Sequence, residues 1–172
     1  MKYTDYFAES DATSDDILSD WSWLVPPELE LWSVTKAGDA LLRHTTEGTI
    51  HFLDLISGKV KQIAKSENEF EKLVATQERA DEWLMPEIVD GQKLLGMIPA
   101  RNQCLSYKIP PFLGGQIDPD NIETRDIKVH FSIAGQLHRQ TKDLPPGTKI
   151  SKILVDGKDP DAAVKRPWWR FW

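Results

Sequence analysis

Hydrophobic residues recur in four short runs in the first part of the chain, and in the first run they alternate with polar residues. The runs cover residues 29–35, 40–45, 49–55 and 59–64, and short turns that each contain a glycine separate them. Runs of this length joined by such turns predict neighbouring antiparallel strands. The alternation also places Trp32 and Val34 on the same face of the first strand. This part of the chain therefore predicts a four-stranded antiparallel meander.

Apolar residues follow a helical spacing in other segments. Helices are predicted over residues 14–23, 66–83, 87–95 and 130–142. The second begins with a capping box, in which the Ser66 hydroxyl accepts from an amide and the Glu69 carboxylate reaches back. Extended segments are predicted over residues 104–109, 121–129 and 149–155, with Ile122 and Ile127 in the core. The expected fold class is α/β, specifically α+β, with an antiparallel β-meander packed against several helices.

Residues 1–157 are expected to form one domain, because a chain of 172 residues buries a core without disulfides or metals. Residues 158–172 are predicted to be a linker and an aromatic tail that contains Trp168, Trp169 and Trp172. A fully exposed cluster of this kind is an aggregation hazard, so we expect something to cover it. The open interpretations are packing onto the domain, a homo-oligomer contact, a mobile tail, a partner contact and association with a membrane surface.

The charge balance narrows the class of partner. Lysine and arginine number 21, aspartate and glutamate number 27, and the formal net charge is −6. This balance argues against a broad nucleic-acid-binding face, which needs basic residues, and it suits a basic protein partner. The amino terminus has no apolar signal core, and no apolar run approaches the length of a membrane span. We therefore expect a cytoplasmic protein.

Candidate catalytic and metal-binding residues are few. The single cysteine, Cys104, could pair with His130 or His138 as thiol and imidazole. We interpret it as a small core residue, because no predicted helix amino terminus lowers its pKa. Ser106 lacks the Gly-x-Ser-x-Gly setting of a hydrolase nucleophile. The histidines lack the four-residue helical spacing of a metal site, so we expect no metal. No cluster of residues has a catalytic geometry that the spacing reveals, so we also expect no enzyme activity and no cofactor.

Loop residues offer a surface for recognition. Gly114 and Gly115 are interpreted as turn glycines with positive φ, because the lysine and hydroxyl residue of a phosphate-binding loop do not follow them. Asp118, Asp120 and Glu123 lie in or just after this proline- and glycine-rich stretch, where recognition residues tend to occur. The abundant acids are interpreted as solvated faces, with an acidic patch that mimics nucleic acid in front of a nuclease as the functional alternative.

The most distinctive motifs lie within residues 103–150. They are the run CLSYKIPP from Cys104 to Pro111, the Leu113-Gly114-Gly115 turn, Asn121, and the run from His130 to Gln136. This stretch resembles the C-terminal domain shared by bacterial immunity proteins that neutralise DNase toxins of the type VI secretion system. A fainter likeness extends over residues 21–83. The domain is also similar to the wider SUKH superfamily of toxin-immunity proteins.

The resemblance implies a SUKH-like domain that acts by binding. We expect an immunity protein that binds and occludes a cognate toxin, a basic nuclease in particular. The expected contact residues are Asp118, Asp120, Glu123, Trp168, Trp169 and Trp172. Inner motif residues are expected in the core, namely Tyr107, Ile109, Leu113, Ile133 and Leu137. The alternatives are a non-catalytic interaction or regulatory module with an unrelated partner and, ranked last, a hydrolase that uses its acids or Cys104.

Overall fold

The structure, a computed structural model, describes residues 2–145, 148, 154 and 155. The aromatic residues Trp168, Trp169 and Trp172, and most of the strand predicted over residues 149–155, lie outside the described residues. The predictions about the tail and about the domain boundary after residue 157 therefore stay predictions.

An antiparallel meander forms the centre of the described fold. Its strands are β1 (Leu29–Val34), β2 (Ala40–His44), β3 (Ile50–Asp54) and β4 (Lys59–Ala64), in the spatial order β1-β2-β3-β4. Each successive pair is antiparallel, and Gly38 in the β1–β2 turn has a φ of 101°. The meander predicted from the alternating pattern is confirmed.

Helices and a two-stranded ribbon complete the described fold. The helices are α1 (Ser14–Leu18), α2 (Glu67–Val74), α3 (Gln77–Leu84), α4 (Pro86–Leu94) and α5 (Ile127–Thr141). The ribbon pairs β5 (Gln103–Tyr107) with β6 (Ile122–Asp126) in antiparallel orientation. The fold is α+β, as the sequence predicts. Within the described ranges, no helix has the length and apolar character needed to cross a membrane.

The core has two halves because the meander is buried on both faces. Leu41 and Leu42 are consecutive in β2, so their side chains point to opposite faces of the sheet. On one face, Leu41 packs in a cluster with residues of α2, α3 and α4, including Phe70. On the other face, Leu42 packs in a cluster with residues of α1 and α5, including Ile17 and Phe131. The sheet thus lies between two helical layers.

A β-bulge in β1 makes one prediction wrong. Trp32 and Val34 do not share a face, because Trp32 packs with the α2–α4 cluster and Val34 with the α1–α5 cluster. The pairing with β2 shifts between Leu31 and Ser33, so Trp32 is an extra residue in the strand. A bulge of this kind changes which face the later residues of the strand occupy. Trp32 thereby reaches the ring of Phe70, with 5.3 Å between the ring centroids.

The helix predicted over residues 66–83 is two helices. Its start is confirmed, because the Ser66 hydroxyl accepts from the Glu69 amide at 3.2 Å. The helix ends at Val74, and Thr76 adopts an extended backbone before α3. The Thr76 hydroxyl donates to the Leu73 carbonyl at 2.7 Å, a local bond of the kind that competes with helix continuation.

The last helix begins earlier than predicted. β6 ends at Asp126, whose carboxylate accepts from the Val129 amide at 3.1 Å and caps α5. The extended segment predicted over residues 121–129 is therefore too long, and the helix predicted from residue 130 begins at Ile127. An aspartate before an apolar run is a standard amino-terminal signal, so the sequence contained the correct boundary.

The predicted core positions are confirmed in part. Ile122, Ile127 and Leu137 are buried. Ile109 is 57% exposed, so its placement in the core is wrong. The residue lies beyond the end of β5, where the chain leaves the ribbon, and the alternation of the strand no longer applies. Tyr107, Leu113 and Ile133 are half-buried.

Candidate functional site

A pair formed by buried Ser106 and half-buried His130 is the first candidate for chemistry. His130 of α5 lies with its Nδ1 atom 3.0 Å from the Ser106 hydroxyl oxygen in β5. Its Nε2 atom lies 2.8 Å from the carbonyl oxygen of Gly38 in the β1–β2 turn. Because a carbonyl only accepts, Nε2 carries the proton, and Nδ1 accepts from the Ser106 hydroxyl. The imidazole therefore connects three separate parts of the fold.

The surroundings of this pair favour a structural role over nucleophilic catalysis. Ser106 is 4% exposed, and the cavity beside the pair has a volume of about 40 Å³. Burial lowers the pKa of His130 to about 4, so the imidazole is a weak base at neutral pH. A substrate carbonyl would need far more room than this cavity has to reach the hydroxyl. The pair holds α5, β5 and the turn together.

Cys104 is a core residue, as the sequence predicts. It is fully buried and packs in the cluster with Ile127 and Phe131. Burial raises the pKa of its thiol well above the ordinary value. His130 bonds to Ser106 and Gly38, and Nε2 of His138 donates to the Leu55 carbonyl over 2.8 Å, so neither imidazole pairs with this thiol.

Asp39 is a buried carboxyl group that the sequence analysis missed. It follows Gly38 in the β1–β2 turn, and its Oδ1 atom accepts from the Leu55 amide at 2.8 Å. Burial raises the pKa of Asp39 to about 7, against the opposing effect of that hydrogen bond. The sequence analysis assigned this segment to the turn between the first two strands, and the local signal for the carboxyl group was an acid next to a turn glycine. The carboxyl group fixes the start of β2 against the end of β3.

The acids at 118 and 120 lie in one tight turn. Asp118 caps a 3₁₀ turn, and its Oδ1 atom accepts from the amides of Asp120 at 2.9 Å and Asn121 at 3.1 Å. The Asn121 side chain donates to the carbonyl oxygens of Ile109 and Gln116, both at 2.8 Å. These bonds hold the loop that carries the two carboxylates. We call residues 118–121 the acidic turn.

Glu123 occupies a different environment from the acidic turn. It lies in β6 opposite Ser106 and forms an ion pair with Arg125. Directly paired residues of an antiparallel ribbon point to the same side, so Glu123 lies on the Ser106 side. Ile122, which precedes Glu123 in the sequence, points to the opposite side and into the α2–α4 cluster. The structure therefore brings Asp118 and Asp120 together and places Glu123 apart.

A surface groove lies between α4 and the acidic turn. It has a volume of about 520 Å³, within the range of pockets that hold small molecules or protein side chains. The lining residues are Glu87, Ile88, Gly91, Gln92, Ile117, Asp118, Pro119 and Ile122. Apart from Asp118, none of them was singled out from the sequence as a site residue. Their proximity depends on how α4 packs against the turn, and local spacing does not reveal that packing.

Exposed apolar side chains lie at the end of α4 and just before the acidic turn. Leu94 is 89% exposed and Leu95 69% exposed at the end of α4, and Ile98 follows them at 61%. Ile117, which lines the groove, is 60% exposed. Contiguous exposed apolar residues rimmed by polar ones are typical of protein contact sites. Together with the groove they define the contact face, a term used below for α4, residues 94–98 and residues 117–121.

The described ranges contain no cluster of three or more histidine, cysteine, aspartate or glutamate side chains able to hold a metal ion. The described chain is thus an α+β domain with a partly apolar, acidic groove on its surface.

Comparison with known families confirms the resemblance drawn from the sequence. Residues 64–138 match the family described as T6SS immunity protein Tdi1, C-terminal, where T6SS denotes the type VI secretion system. The matched segment runs from the end of β4 into α5 and includes the groove, the acidic turn and the Ser106–His130 pair. The family match covers less than half of the chain.

Comparison with solved structures supports the fold. The structure is similar to the crystal structure of Atu4351 from Agrobacterium tumefaciens, with a TM-score of 0.52 and 18% sequence identity. The similarity covers 72% of this chain and 64% of the Atu4351 chain, so this chain spans less than two thirds of that protein. At this identity the likeness shows the fold alone. No curated protein matches the sequence.

Proposed function

We propose that the protein is an immunity protein that binds a cognate toxin domain and blocks it by occlusion. The observation that carries the proposal is the match of residues 64–138 to a family of type VI secretion immunity proteins. A protein that acts by occlusion needs a stable scaffold and a complementary surface, and it needs no reacting group. His130 is half-buried with both ring nitrogens hydrogen-bonded, and the thiol of Cys104 is buried. Both observations are consistent with this mode of action.

The contact face supports a protein partner. Protein interfaces combine an apolar centre with a polar rim. Leu95 and Ile117 supply exposed apolar area, and the carboxylates of Asp118 and Asp120 lie beside them. The groove gives this surface a concave site in which an anchoring side chain of a partner can bind.

The charge supports a basic toxin, and we propose a nuclease. A nuclease that binds phosphates presents basic residues, and a partner with a net charge of −6 meets it faster than a neutral one. Asp118, Asp120 and Glu123 are the proposed acidic contacts, and Trp168, Trp169 and Trp172 remain a proposed second contact. We place the encounter in the cytoplasm, where such a toxin reaches nucleic acid.

Co-expression with a toxin tests the proposal. Each nuclease domain encoded beside the gene is expressed in a host with and without this protein. We expect growth to be restored and the two proteins to co-purify. Asp120→Lys should weaken the rescue, whereas Glu47→Lys, in the exposed β2–β3 turn, should not. Unabated killing by every such toxin, with this protein present and folded, would contradict the proposal.

A further inference from the structure

Gln92 is a buried amide with an unused acceptor. Its side chain lines the groove, and the residue is 2% exposed. The Nε2 atom donates to the Pro119 carbonyl at 3.3 Å, which connects α4 to the acidic turn. The Oε1 atom has no hydrogen-bond partner within the described part of the chain. Buried polar atoms are nearly always satisfied, so this acceptor, in a side chain that lines the groove, is available to a donor from water or from a ligand.

The remaining groove residues define the charge and shape of that donor. The two ionisable side chains that line the groove, Glu87 and Asp118, are both acids. Ile88, Ile117 and Ile122 supply apolar walls. Three acceptor groups beside apolar walls suit a long cationic side chain, whose stem packs on apolar surface while its charged end meets the carboxylates.

Arginine fits this arrangement better than lysine or a metal ion. The guanidinium carries five N–H donors in a planar fork, so it can bond to a carboxylate and to an amide oxygen at the same time. Lysine offers a compact point charge that retains its hydration strongly. Glu87 and Asp118 are two carboxylates. The described residues contain no cluster of three or more histidine, cysteine, aspartate or glutamate side chains that could hold a metal ion.

We propose that the groove between α4 and the acidic turn receives an arginine side chain of the toxin, with Glu87, Asp118 and the Gln92 Oε1 atom as its acceptors. This inference rests on the proposed function, since it names the anchor by which the toxin is held. The apolar residues Leu95 and Ile117 then surround the anchor and exclude water from it, as the rim of a hot spot does.

A titration with small ligands tests the groove without a toxin. The full chain, labelled with ¹⁵N, is titrated with N-acetyl-arginine amide and, separately, with N-acetyl-citrulline amide, a neutral ligand of nearly the same shape. We expect saturable shifts with the arginine ligand in the Gln92 side-chain amide and in the backbone amides of residues 87–92 and 117–122. The citrulline ligand should bind at least tenfold more weakly. Equal shifts with both ligands, or shifts confined to other regions, would overturn the inference.

Matched variants locate the acceptors. Glu87→Gln and Asp118→Asn remove the two charges, and the asparagine retains an oxygen that can accept from the Asp120 and Asn121 amides. The double variant should bind the arginine ligand and the toxin at least tenfold more weakly than the wild type. Glu30→Gln, which removes an exposed acid paired with Arg43 in β2, is the control and should leave both affinities unchanged.

The toxin experiment separates the two proposals. If the wild-type protein binds the toxin and the double variant binds equally tightly, the groove inference fails and the proposed function stands. If the wild-type protein binds none of the neighbouring toxins, the proposed function fails, and the arginine titration alone decides whether the groove selects a guanidinium.

Discussion

The Ser106 hydroxyl donates to Nδ1 of His130 over 3.0 Å, and this bond connects β5 to α5. Ser106 is buried and His130 is half-buried, and the second ring nitrogen of His130 is bonded to the Gly38 carbonyl. The histidine therefore has a fixed tautomer and a fixed position. A serine and a histidine at this distance resemble a catalytic pair. The cavity beside them has a volume of only about 40 Å³, which leaves too little room for a substrate, so we assign the pair a role in holding the fold.

Ser106→Ala tests this role. The substitution leaves the Nδ1 acceptor buried without a donor, so the free energy of unfolding should fall by about 1–3 kcal/mol. Urea denaturation at pH 7 measures the change, and Ser22→Ala, at an exposed serine, is a control with an expected change near zero. Toxin inhibition by the folded variant should equal that of the wild type. Loss of inhibition with unchanged stability would indicate a reacting serine and would contradict the structural role.

Asp39 makes the free energy of unfolding fall as pH rises, which is the reverse of the usual effect of a carboxyl group. The pKa of Asp39 is about 7 in the folded chain and ordinarily 3.8, so between these pH values the unfolded chain loses the proton while the folded chain keeps it. The unfolding free energy contributed by Asp39 therefore falls as pH rises from about 4 to 7. The contribution lost is ~4 kcal/mol at most, since one pKa unit corresponds to about 1.4 kcal/mol.

His130 acts in the opposite direction over nearly the same window. The pKa of His130 is about 4 in the folded chain and ordinarily 6.5, so the unfolded chain binds the extra proton between these pH values. Stability from this group rises with pH through that range. The wild-type protein should therefore show a partial cancellation of the two effects between about pH 4 and 6.5.

Asp39→Asn separates the two effects. Asparagine retains an oxygen that can accept from the Leu55 amide, and it carries no charge. The stability of the variant relative to the wild type should increase from pH 4 to pH 7 and stay constant above that. Urea midpoints measured at intervals across pH 4 to 8 give the difference. A difference that is independent of pH would contradict the assignment of a raised pKa to Asp39.

Gly115 and Gly91 should respond to alanine with opposite signs. A Cβ atom at Gly115 would clash with the Ile109 carbonyl oxygen, so the backbone would have to move. Gly115→Ala should lower the unfolding free energy by about 1–3 kcal/mol. Gly91 is helical, with no atom within 4 Å of an added Cβ, so Gly91→Ala should raise it by about 0.5–1 kcal/mol.

Thermal and urea unfolding of the two glycine variants measure both changes. Equal effects would show that the close approach at Gly115 does not constrain the loop. The sequence analysis attributed positive φ to both turn glycines, and this is confirmed for Gly114, with a φ of 96°. It is wrong for Gly115, where the absence of a side chain allows the approach to Ile109.

The sequence predicted what local patterns determine. Alternation predicted the meander, the capping box at Ser66 predicted the start of α2, and the apolar character of Cys104 predicted its burial. The bulge at Trp32 was missed because one extra residue in a strand leaves no periodic signal when both faces are buried. The break before Thr76 was missed because the apolar spacing continues across it.

The candidate site was less predictable than the fold. Asp118 and Asp120 were selected because of their loop and their charge, and they do lie in one turn. Gln92 carries no sequence signal, because a glutamine on a helix is ordinarily exposed, and its burial depends on the packing of α4 against Pro119. Long-range packing of this kind follows from the whole fold and not from the spacing of residues along the chain.

Titration of toxin activity with the purified protein tests the central claim most directly. The nuclease activity of the toxin encoded beside the gene is measured as increasing amounts of this protein are added. Occlusion predicts a linear fall that reaches zero when the two proteins are equimolar, with activity recovered when the complex is dissociated. Inactivation by a small fraction of an equivalent, or full activity in the presence of excess folded protein, would contradict the account.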